Sequence, residues 1–203
     1  VIGEHSLRPI CGAVAVAVKL GMGPREIVEG VEDITPVEGR MNLLPGIEKS
    51  VLIDDTYNSS PASASAAVQT LYNLQAPQRI AVLGDMNELG ETSAHEHEAI
   101  GHLCDPSLLA WVVTIGPESE KYLAPAAKAR GCQVRSFMSA IEAGAFVRSV
   151  IEESAVVLVK GSQTGIYAEE TVKLLLHSTA DDHKLVRQSP YWMEIKNAFF
   201  SKF

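Results

Sequence analysis

Residues 51–67, VLIDDTYNSSPASASAA, contain a short apolar run, a polar loop and the start of a helix. The opening Val-Leu-Ile is typical of a strand covered on both faces. A pair of serines then supplies a hydroxyl cap, and Pro61 is favoured at the first position of a helix. The segment therefore predicts a strand, a tight loop and a helix in succession.

The polar loop at residues 54–58 follows the carboxyl end of this predicted strand. In an open parallel sheet ligands bind at that end, because the next helix N-terminus attracts anions. Asp54, Asp55, Thr56, Tyr57 and Asn58 are then expected to face a ligand. The alternative is a structural loop in which Asp and Asn side chains accept hydrogen bonds from nearby backbone amides.

The composition excludes several classes of function. The 203 residues are 46% hydrophobic, enough for one full domain and an appended segment. A formal net charge of -8 argues against a nucleic-acid or anionic-membrane surface, which would need a basic face. Cys11, Cys104 and Cys132 lie far apart without a CxxC spacing, so they predict neither a disulfide framework nor a zinc site. With no leader and no apolar run of about 18 residues, we expect a cytoplasmic protein.

Strand-like apolar runs and helical patterns alternate from Gly39 onward. Five strands are predicted, at 50–54, 79–83, 110–115, 133–137 and 156–160. Five helices are predicted after them, at 61–74, 93–104, 118–130, 139–152 and about 168–177. This alternation indicates βαβ units. The fold class is therefore α/β, Rossmann-like, with a mostly parallel sheet flanked by helices.

The two ends of the chain have a different composition. Segments 9–20 and 25–33 predict two short helices without a core of their own, so their Ala/Val face needs a larger partner. Residues 181–203 predict an aromatic-rich helix, which we expect to pack on the body of the protein. The alternative is an interaction surface made of Tyr191, Trp192, Phe199, Phe200 and Phe203.

Two further strand ends carry polar residues. Asp85 and Glu88 follow the strand at 79–83, after Gly84, which permits close approach of two backbones. Lys160 and Ser162 lie at the end of the strand at 156–160, in a segment suited to a phosphate or a carboxylate. The chain contains no GxxxxGK[ST] motif, so this segment is not a P-loop.

His95 and His97 flank Glu96 in AHEHEA and raise the question of a metal site. Residues two apart on a helix diverge by about 200°, so one helix cannot easily direct both rings at one ion. Solvated or capping histidines are the alternative. No metal site is predicted.

Several motifs occur in an order that resembles a known family. They are GEH, EGRMN, IDDTYNSSP, VLGDMNELG, a histidine in the next helix, and VLVKGS. Together they are similar to the C-terminal half of the Mur ligases over nearly the whole chain. The resemblance implies that residues 1–37 are the helical end of a central ATP-binding domain. Residues 38–180 would then be the C-terminal Rossmann-like domain, and 181–203 a C-terminal helical extension.

The resemblance implies an ATP-dependent amide ligase of peptidoglycan synthesis. In that reaction D-Ala-D-Ala is joined to UDP-MurNAc-tripeptide through an acyl phosphate. ATP and Mg2+ would be bound mainly by an upstream domain, so this chain is expected to be inactive alone. No nucleic-acid or membrane partner is expected, and the protein would be a monomer.

Two groups of binding residues follow from the resemblance. Arg40 is similar to an arginine that reaches the nucleotide when the domains close. Asp55 is similar to an aspartate that hydrogen-bonds the ribose, with Tyr57 and Asn58 beside it. The second group lies where the amino substrate is received: Asp85, Glu88, Lys160 and Ser162. No catalytic residue is assigned within this chain. Considered singly, Arg40 would be a linker arginine, and the second group would be loop caps and surface charges.

The sequence also departs from the family pattern. Ser6 and Pro9 stand where relatives have asparagines, so contacts from these side chains to adenine are not expected. Residues 163–165, Gln-Thr-Gly, follow KGS where many relatives have an arginine. Another Mur-type amino-acid ligase is therefore an alternative. A stand-alone Rossmann-like module that binds a nucleotide or metabolite is a second alternative.

Overall fold

A six-stranded sheet forms the centre of the protein in a computed structural model, which describes residues 2–203. Its strands are β1 (Asn42–Pro45), β2 (Val51–Asp55), β3 (Arg79–Gly84), β4 (Trp111–Ile115), β5 (Val134–Phe137) and β6 (Val156–Lys160). Their order across the sheet is β1-β2-β6-β3-β4-β5. β1 runs antiparallel to β2, and all other neighbours are parallel. Residue 1, with which the predicted segment 1–37 begins, lies outside the described residues.

Helices cover both faces of this sheet. They are α1 (Leu7–Lys19), α2 (Pro24–Glu32), α3 (Pro61–Asn73), α4 (Ser93–Leu103), α5 (Ala124–Ala129), α6 (Ala140–Val150), α7 (Glu169–Leu175) and α8 (Pro190–Phe200). A π-helical turn, Ser119–Leu123, leads into α5. Within residues 2–203 no helix has the length and apolar character that crossing a membrane requires.

Two apolar clusters lie on opposite faces of the sheet. One joins α3, α4 and α5 to the face that carries Ile53, and the other joins α6 and α7 to the face that carries Leu52. Neighbouring residues of a strand point to opposite faces, which explains this division. The chain leaves β2 and β3 toward one face and β6 toward the other. A crevice therefore opens at the carboxyl end of β6, the position where open α/β sheets bind ligands.

The predicted α/β fold with a mostly parallel sheet is confirmed. All five predicted strands are present, with ends that differ by at most one residue. The sequence did not predict β1, a short edge strand in which Leu44 is buried and Leu43 is exposed. One buried residue among four gives too little alternation for a strand to be recognised.

The two ends of the chain differ in how they pack. Neither α1 nor α2 buries a residue, and apolar side chains such as Val16 and Val28 are exposed on them. In contrast, the ring of Phe199 in α8 lies 5.1 Å from the ring of Tyr167. Lys196 of α8 is also buried. The expectation that the aromatic tail packs on the body of the protein is therefore confirmed for Phe199 and Phe200, whereas Tyr191 and Phe203 are exposed.

Candidate functional site

A buried ion pair joins the ends of two neighbouring strands. Asp55 and Lys160 are the last residues of β2 and β6, and the register of the parallel strands places them side by side. The Nζ of Lys160 lies 2.5 Å from Oδ2 of Asp55 and donates to the backbone oxygen of Asn58 at 3.1 Å. Burial lowers the pKa of Lys160, and the Asp55 carboxylate opposes this shift. The pair therefore places both a cation and an anion at the crevice.

Arg40 and Tyr57 lie beside this pair. The guanidinium carbon of Arg40 is 4.3 Å from the centre of the Tyr57 ring, a cation–π arrangement that leaves the arginine exposed. The backbone N–H of Met41 donates to Oδ1 of Asp55 at 3.2 Å, and that of Tyr57 donates to the oxygen of Gly39 at 3.0 Å. The segment after the predicted domain boundary is thereby fixed against the loop that follows β2.

A cavity of about 410 Å3 opens onto these residues. Arg40, Met41, Asp55 and Lys160 line one side of it. Residues of α1 and the linker at 34–37 line the other side. A small polar ligand in this cavity would meet one exposed guanidinium, one carboxylate and one ammonium group.

Of the five residues in the loop at 54–58, only Asp55 lines the cavity. Asp55 lines it, but Asp54 is fully buried and, as the preceding strand residue, points to the other face of the sheet. Oδ1 of Asp54 accepts from the hydroxyl of Thr56 at 2.6 Å, and Thr56 is also fully buried. The expectation that Asp54 and Thr56 face a ligand is therefore wrong. Asn58 is exposed and contributes its backbone oxygen to Lys160.

The second predicted group lies at the carboxyl end of β3, where Asp85 caps the π-helical turn. Its carboxylate accepts from the backbone N–H groups of Ser119 at 2.6 Å and Glu118 at 3.2 Å. Burial raises the pKa of Asp85, and the hydrogen bonds from Ser119 oppose the shift. Ser162 donates to the backbone oxygen of Asp85 at 2.6 Å and accepts from the N–H of Asn87 at 2.9 Å. Asp85 and Ser162 therefore use these polar atoms to hold the loops together.

The other two residues predicted for the amino-substrate group, Glu88 and Lys160, have different surroundings. Glu88 is exposed and has a left-handed backbone, with φ of 65°. Lys160, predicted together with Glu88, pairs instead with Asp55 of the first group. At Gly84 an added Cβ would lie 2.6 Å from Ile166 and 3.2 Å from the Cα of Gly161, so the predicted close approach of two backbones is confirmed.

The two histidines of the AHEHEA segment have different surroundings. His95 is exposed, whereas His97 is fully buried. Nε2 of His97 accepts from the backbone N–H of Met86 at 2.9 Å, and Nδ1 lies 2.8 Å from the oxygen of Ser93. Nε2 therefore connects α4 to the loop after β3, whereas the Nδ1 contact lies within the first turn of α4 itself. The side chains that the structure describes, those of residues 2–4 and 6–203, include no group of three or more His, Cys, Asp or Glu that could hold a metal ion.

Sequence reasoning missed a third buried group, which lies behind the loop after β2. Arg187 forms two hydrogen bonds to the carboxylate of Glu169, at 2.8 and 2.6 Å. It also donates to the backbone oxygens of Thr56 at 2.6 Å and Tyr57 at 3.2 Å. The segment LVRQSPYW at 185–192, which contains Arg187, is similar to the tails of some Mur ligases, but this likeness does not identify Glu169 and the loop after β2 as its partners, because they are distant in the chain.

Comparison with known proteins gives matches over most of the chain. Residues 39–163 match the family described as Mur ligase, glutamate ligase domain. A UDP-N-acetylmuramoyl-tripeptide--D-alanyl-D-alanine ligase of Haemophilus influenzae is 34% identical over 118 residues, 58% of this chain and 26% of that protein. The chain spans about a quarter of the length of the curated relatives it matches.

Solved structures show the same relationship. A crystal structure of MurF from Acinetobacter baumannii is 30% identical and has a TM-score of 0.73 over 85% of this chain and 38% of that chain. The MurF ligase of Thermotoga maritima, solved in complex with ADP, has a TM-score of 0.72 over the same fractions. Because the sequences are only 24% identical, this structural match shows a shared fold alone.

Proposed function

The chain belongs to the Mur ligases through its glutamate ligase domain, and we propose that it is the C-terminal part of an ATP-dependent amide ligase. The proposed reaction joins D-Ala-D-Ala to UDP-MurNAc-tripeptide, the substrates in the names of the curated relatives. In this proposal ATP converts the peptide carboxylate to an acyl phosphate, and the dipeptide amine displaces phosphate to form the amide. The reaction takes place in the whole protein, to which this chain contributes binding residues.

The observation that carries this proposal is the group formed by Arg40, Asp55 and Lys160 around one cavity, with the Tyr57 ring packed against Arg40 outside the cavity lining. Each oxygen of the Asp55 carboxylate accepts one hydrogen bond within the protein, so lone pairs stay available for a ribose hydroxyl. The exposed Arg40 guanidinium suits phosphate oxygens, which it can bind in a bidentate manner. Lys160 fixes the Asp55 carboxylate from the opposite side.

In the predicted amino-substrate group, we propose that the residues divide by task. Asp85 and Ser162 are buried and hydrogen-bonded to neighbouring loops, so they hold the shape of this site. Glu88 is exposed, and its carboxylate is suited to the amine of D-Ala-D-Ala. Lys160 belongs with the nucleotide group in this proposal.

Mur ligases use ATP and Mg2+. The described part of this chain has no cluster of three or more side chains suited to a metal, so these residues do not fit Mg2+ by themselves. Binding of Mg2+ belongs, in this proposal, to the part of the protein that carries the triphosphate site.

The test is phosphate release by the protein expressed from its full open reading frame, with ATP, Mg2+, UDP-MurNAc-tripeptide and D-Ala-D-Ala. We expect dipeptide-dependent release that falls about a hundredfold in Arg40→Ala and Asp55→Ala, the size typical of lost electrostatic positioning. Because Asp55→Ala leaves a buried lysine unpaired, Asp55→Asn is measured beside it. Lys128→Ala, on the exposed surface of α5, is the matched control.

Two results would contradict the proposal. A well-folded full protein without dipeptide-dependent release would exclude this amino substrate, and single amino acids tested in the same assay would identify another Mur-type ligase. ATP turnover by the 203-residue chain alone would exclude the division of the site between this chain and an upstream triphosphate site.

A further inference from the structure

The loop that carries Asp55 and Tyr57 is held by the C-terminal tail, residues 181–203, on the side away from the cavity. Arg187, far along the chain, donates to the backbone oxygens of Thr56 and Tyr57 at 2.6 and 3.2 Å. These carbonyls lie at the point where the loop turns away from β2. Arg187 does not line the cavity, so it contacts the loop and not the ligand space.

Arg187 is itself fixed in place. It is 8% exposed, and its guanidinium binds both carboxylate oxygens of the fully buried Glu169. Its backbone is left-handed, with φ of 57°, a conformation that side-chain-bearing residues adopt rarely. Such a conformation persists where the surroundings determine it. A planar fork with five N–H groups can reach one carboxylate and two carbonyls together, and a lysine cannot.

The residue before Arg187 reaches the second segment of the same site. A Cβ added at Gly39 would lie 2.8 Å from Cγ1 of Val186 and 3.0 Å from the backbone nitrogen of Tyr57. Gly39 precedes Arg40 and accepts a hydrogen bond from the N–H of Tyr57. Two consecutive tail residues therefore fix the backbone on both sides of the Arg40 and Tyr57 contact.

The tail also has its own attachment to the body of the protein. Lys196 of α8 is buried and pairs with Glu170 of α7, and it lies 3.6 Å from Glu169. Lys173 of α7 lies 3.3 Å from Asp182. Lys173 also donates to the side chain of Gln188 at 3.4 Å, so α7 holds the tail directly beside Arg187.

We propose that Arg187 is a positioning residue for nucleotide binding, acting through the Thr56 and Tyr57 carbonyls, an inference that rests on the proposed function. It sets where the Asp55 carboxylate and the Tyr57 ring stand relative to Arg40. The tail at 181–203 is therefore part of the nucleotide site, although none of its residues lines the cavity.

The experiment compares Arg187→Lys with the wild type in the protein from the full open reading frame. Lysine keeps the positive charge beside Glu169 but cannot hold both carbonyls. We expect the KM for ATP to rise about tenfold with kcat nearly unchanged, since the lost hydrogen bonds orient a binding group. We also expect faster hydrogen–deuterium exchange in residues 38–42 and 54–58. Lys184→Gln, which removes an ion pair with Asp181 within the tail and touches neither Glu169 nor the loop, should change neither quantity.

Arg187→Met is the second variant, and it removes the charge as well as the fork. An ATP KM in Arg187→Lys equal to that of the wild type, or raised equally by Lys184→Gln, would overturn the inference. A wild-type protein without ATP-dependent activity would contradict the proposed function instead. In that case the exchange comparison alone decides whether Arg187 holds the loop, and equal exchange in the variant and the wild type overturns the inference.

Discussion

Asp54 and Asp55 are neighbours in the chain with opposite surroundings. Asp55 faces Lys160 and keeps a cationic partner, whereas Asp54 points to the other face and receives a hydrogen bond from Thr56. Among the described residues, Oδ2 of Asp54 has no hydrogen-bond partner. Burial therefore raises the pKa of Asp54 to about 6, with Glu169 adding to the shift.

This pKa predicts a pH-dependent stability. Because the folded state keeps the Asp54 proton up to about pH 6 and the unfolded state releases it near its ordinary pKa of 3.8, folded protein binds more protons between these values. The free energy of unfolding then falls as the pH rises through this window. An asparagine side chain in place of Asp54 would not titrate. We expect Asp54→Asn to gain about 2 kcal/mol relative to the wild type between about pH 4.5 and 7, at ~1.4 kcal/mol per pKa unit.

Urea unfolding across this pH range measures the difference. Asp105→Asn is the control, since hydrogen bonds from Ser107 lower the pKa of Asp105 below its ordinary 3.8. This carboxylate is ionised throughout the range, so its variant should differ from the wild type by an amount that does not change with pH. A difference between Asp54→Asn and the wild type that stays constant with pH would contradict the assignment of a raised pKa to Asp54.

At the scale of elements, the packing of α4 on α5 depends on a residue without a side chain. A Cβ at Gly101 in α4 would lie 2.4 Å from the backbone oxygen of Leu123 and 2.6 Å from Cβ of Ala126. Both contacts are shorter than real Cβ contacts and involve atoms that cannot rotate away. The close approach of these helices therefore requires glycine at this position.

We expect Gly101→Ala to lower the free energy of unfolding by about 1–3 kcal/mol, the usual effect of overpacking. Gly30→Ala in α2 is the matched control, because a Cβ there meets nothing within 4 Å. Alanine at that position should be neutral or stabilising by up to about 1 kcal/mol. Denaturant unfolding followed by circular dichroism separates the two variants, and equal stability would show that α4 and α5 are not tightly packed at Gly101.

The elements themselves and their ends were largely predictable, but the edge strand was not. Apolar runs such as 156–160 are buried along their whole length and stand out in the sequence. β1 has one buried residue and was missed. The π-helical turn at Ser119–Leu123 was predicted as ordinary helix, because its distinction depends on capping by the distant Asp85.

At the scale of the whole molecule, burial is unevenly distributed. The strands of the sheet centre are almost fully buried, whereas α1 and α2 bury no residue. Local opening costs little free energy where few apolar contacts form. The cavity beside Arg40 lies between these two regions, since α1 and the linker form one of its walls.

The rate of hydrogen–deuterium exchange in the 203-residue chain should therefore differ between α1 and α2 on one side and the central strands on the other. We expect amides of residues 7–32 to exchange at least a hundredfold faster than those of β3 and β6, since their opening needs no loss of core packing. Mass spectrometry of peptic fragments measures both regions in one sample, so the sheet is the internal control. Equal protection of α1, α2 and the sheet would mean that these helices are stabilised within the chain itself.

The sequence by itself determined the α/β class, the five main strands and the polar residues that follow them, because burial periodicity and helix caps are local in the chain. It also identified Arg40, Asp55, Tyr57 and Asn58 as one candidate group, whose roles remain predictions. Only the tertiary structure decided that β6 lies between β2 and β3, which pairs Lys160 with Asp55 across 105 residues of chain. It alone turned Asp54 away from the cavity and brought Arg187 behind the loop. Strand order and long-range ion pairs depend on which surfaces meet in space, and no local pattern of residues records that.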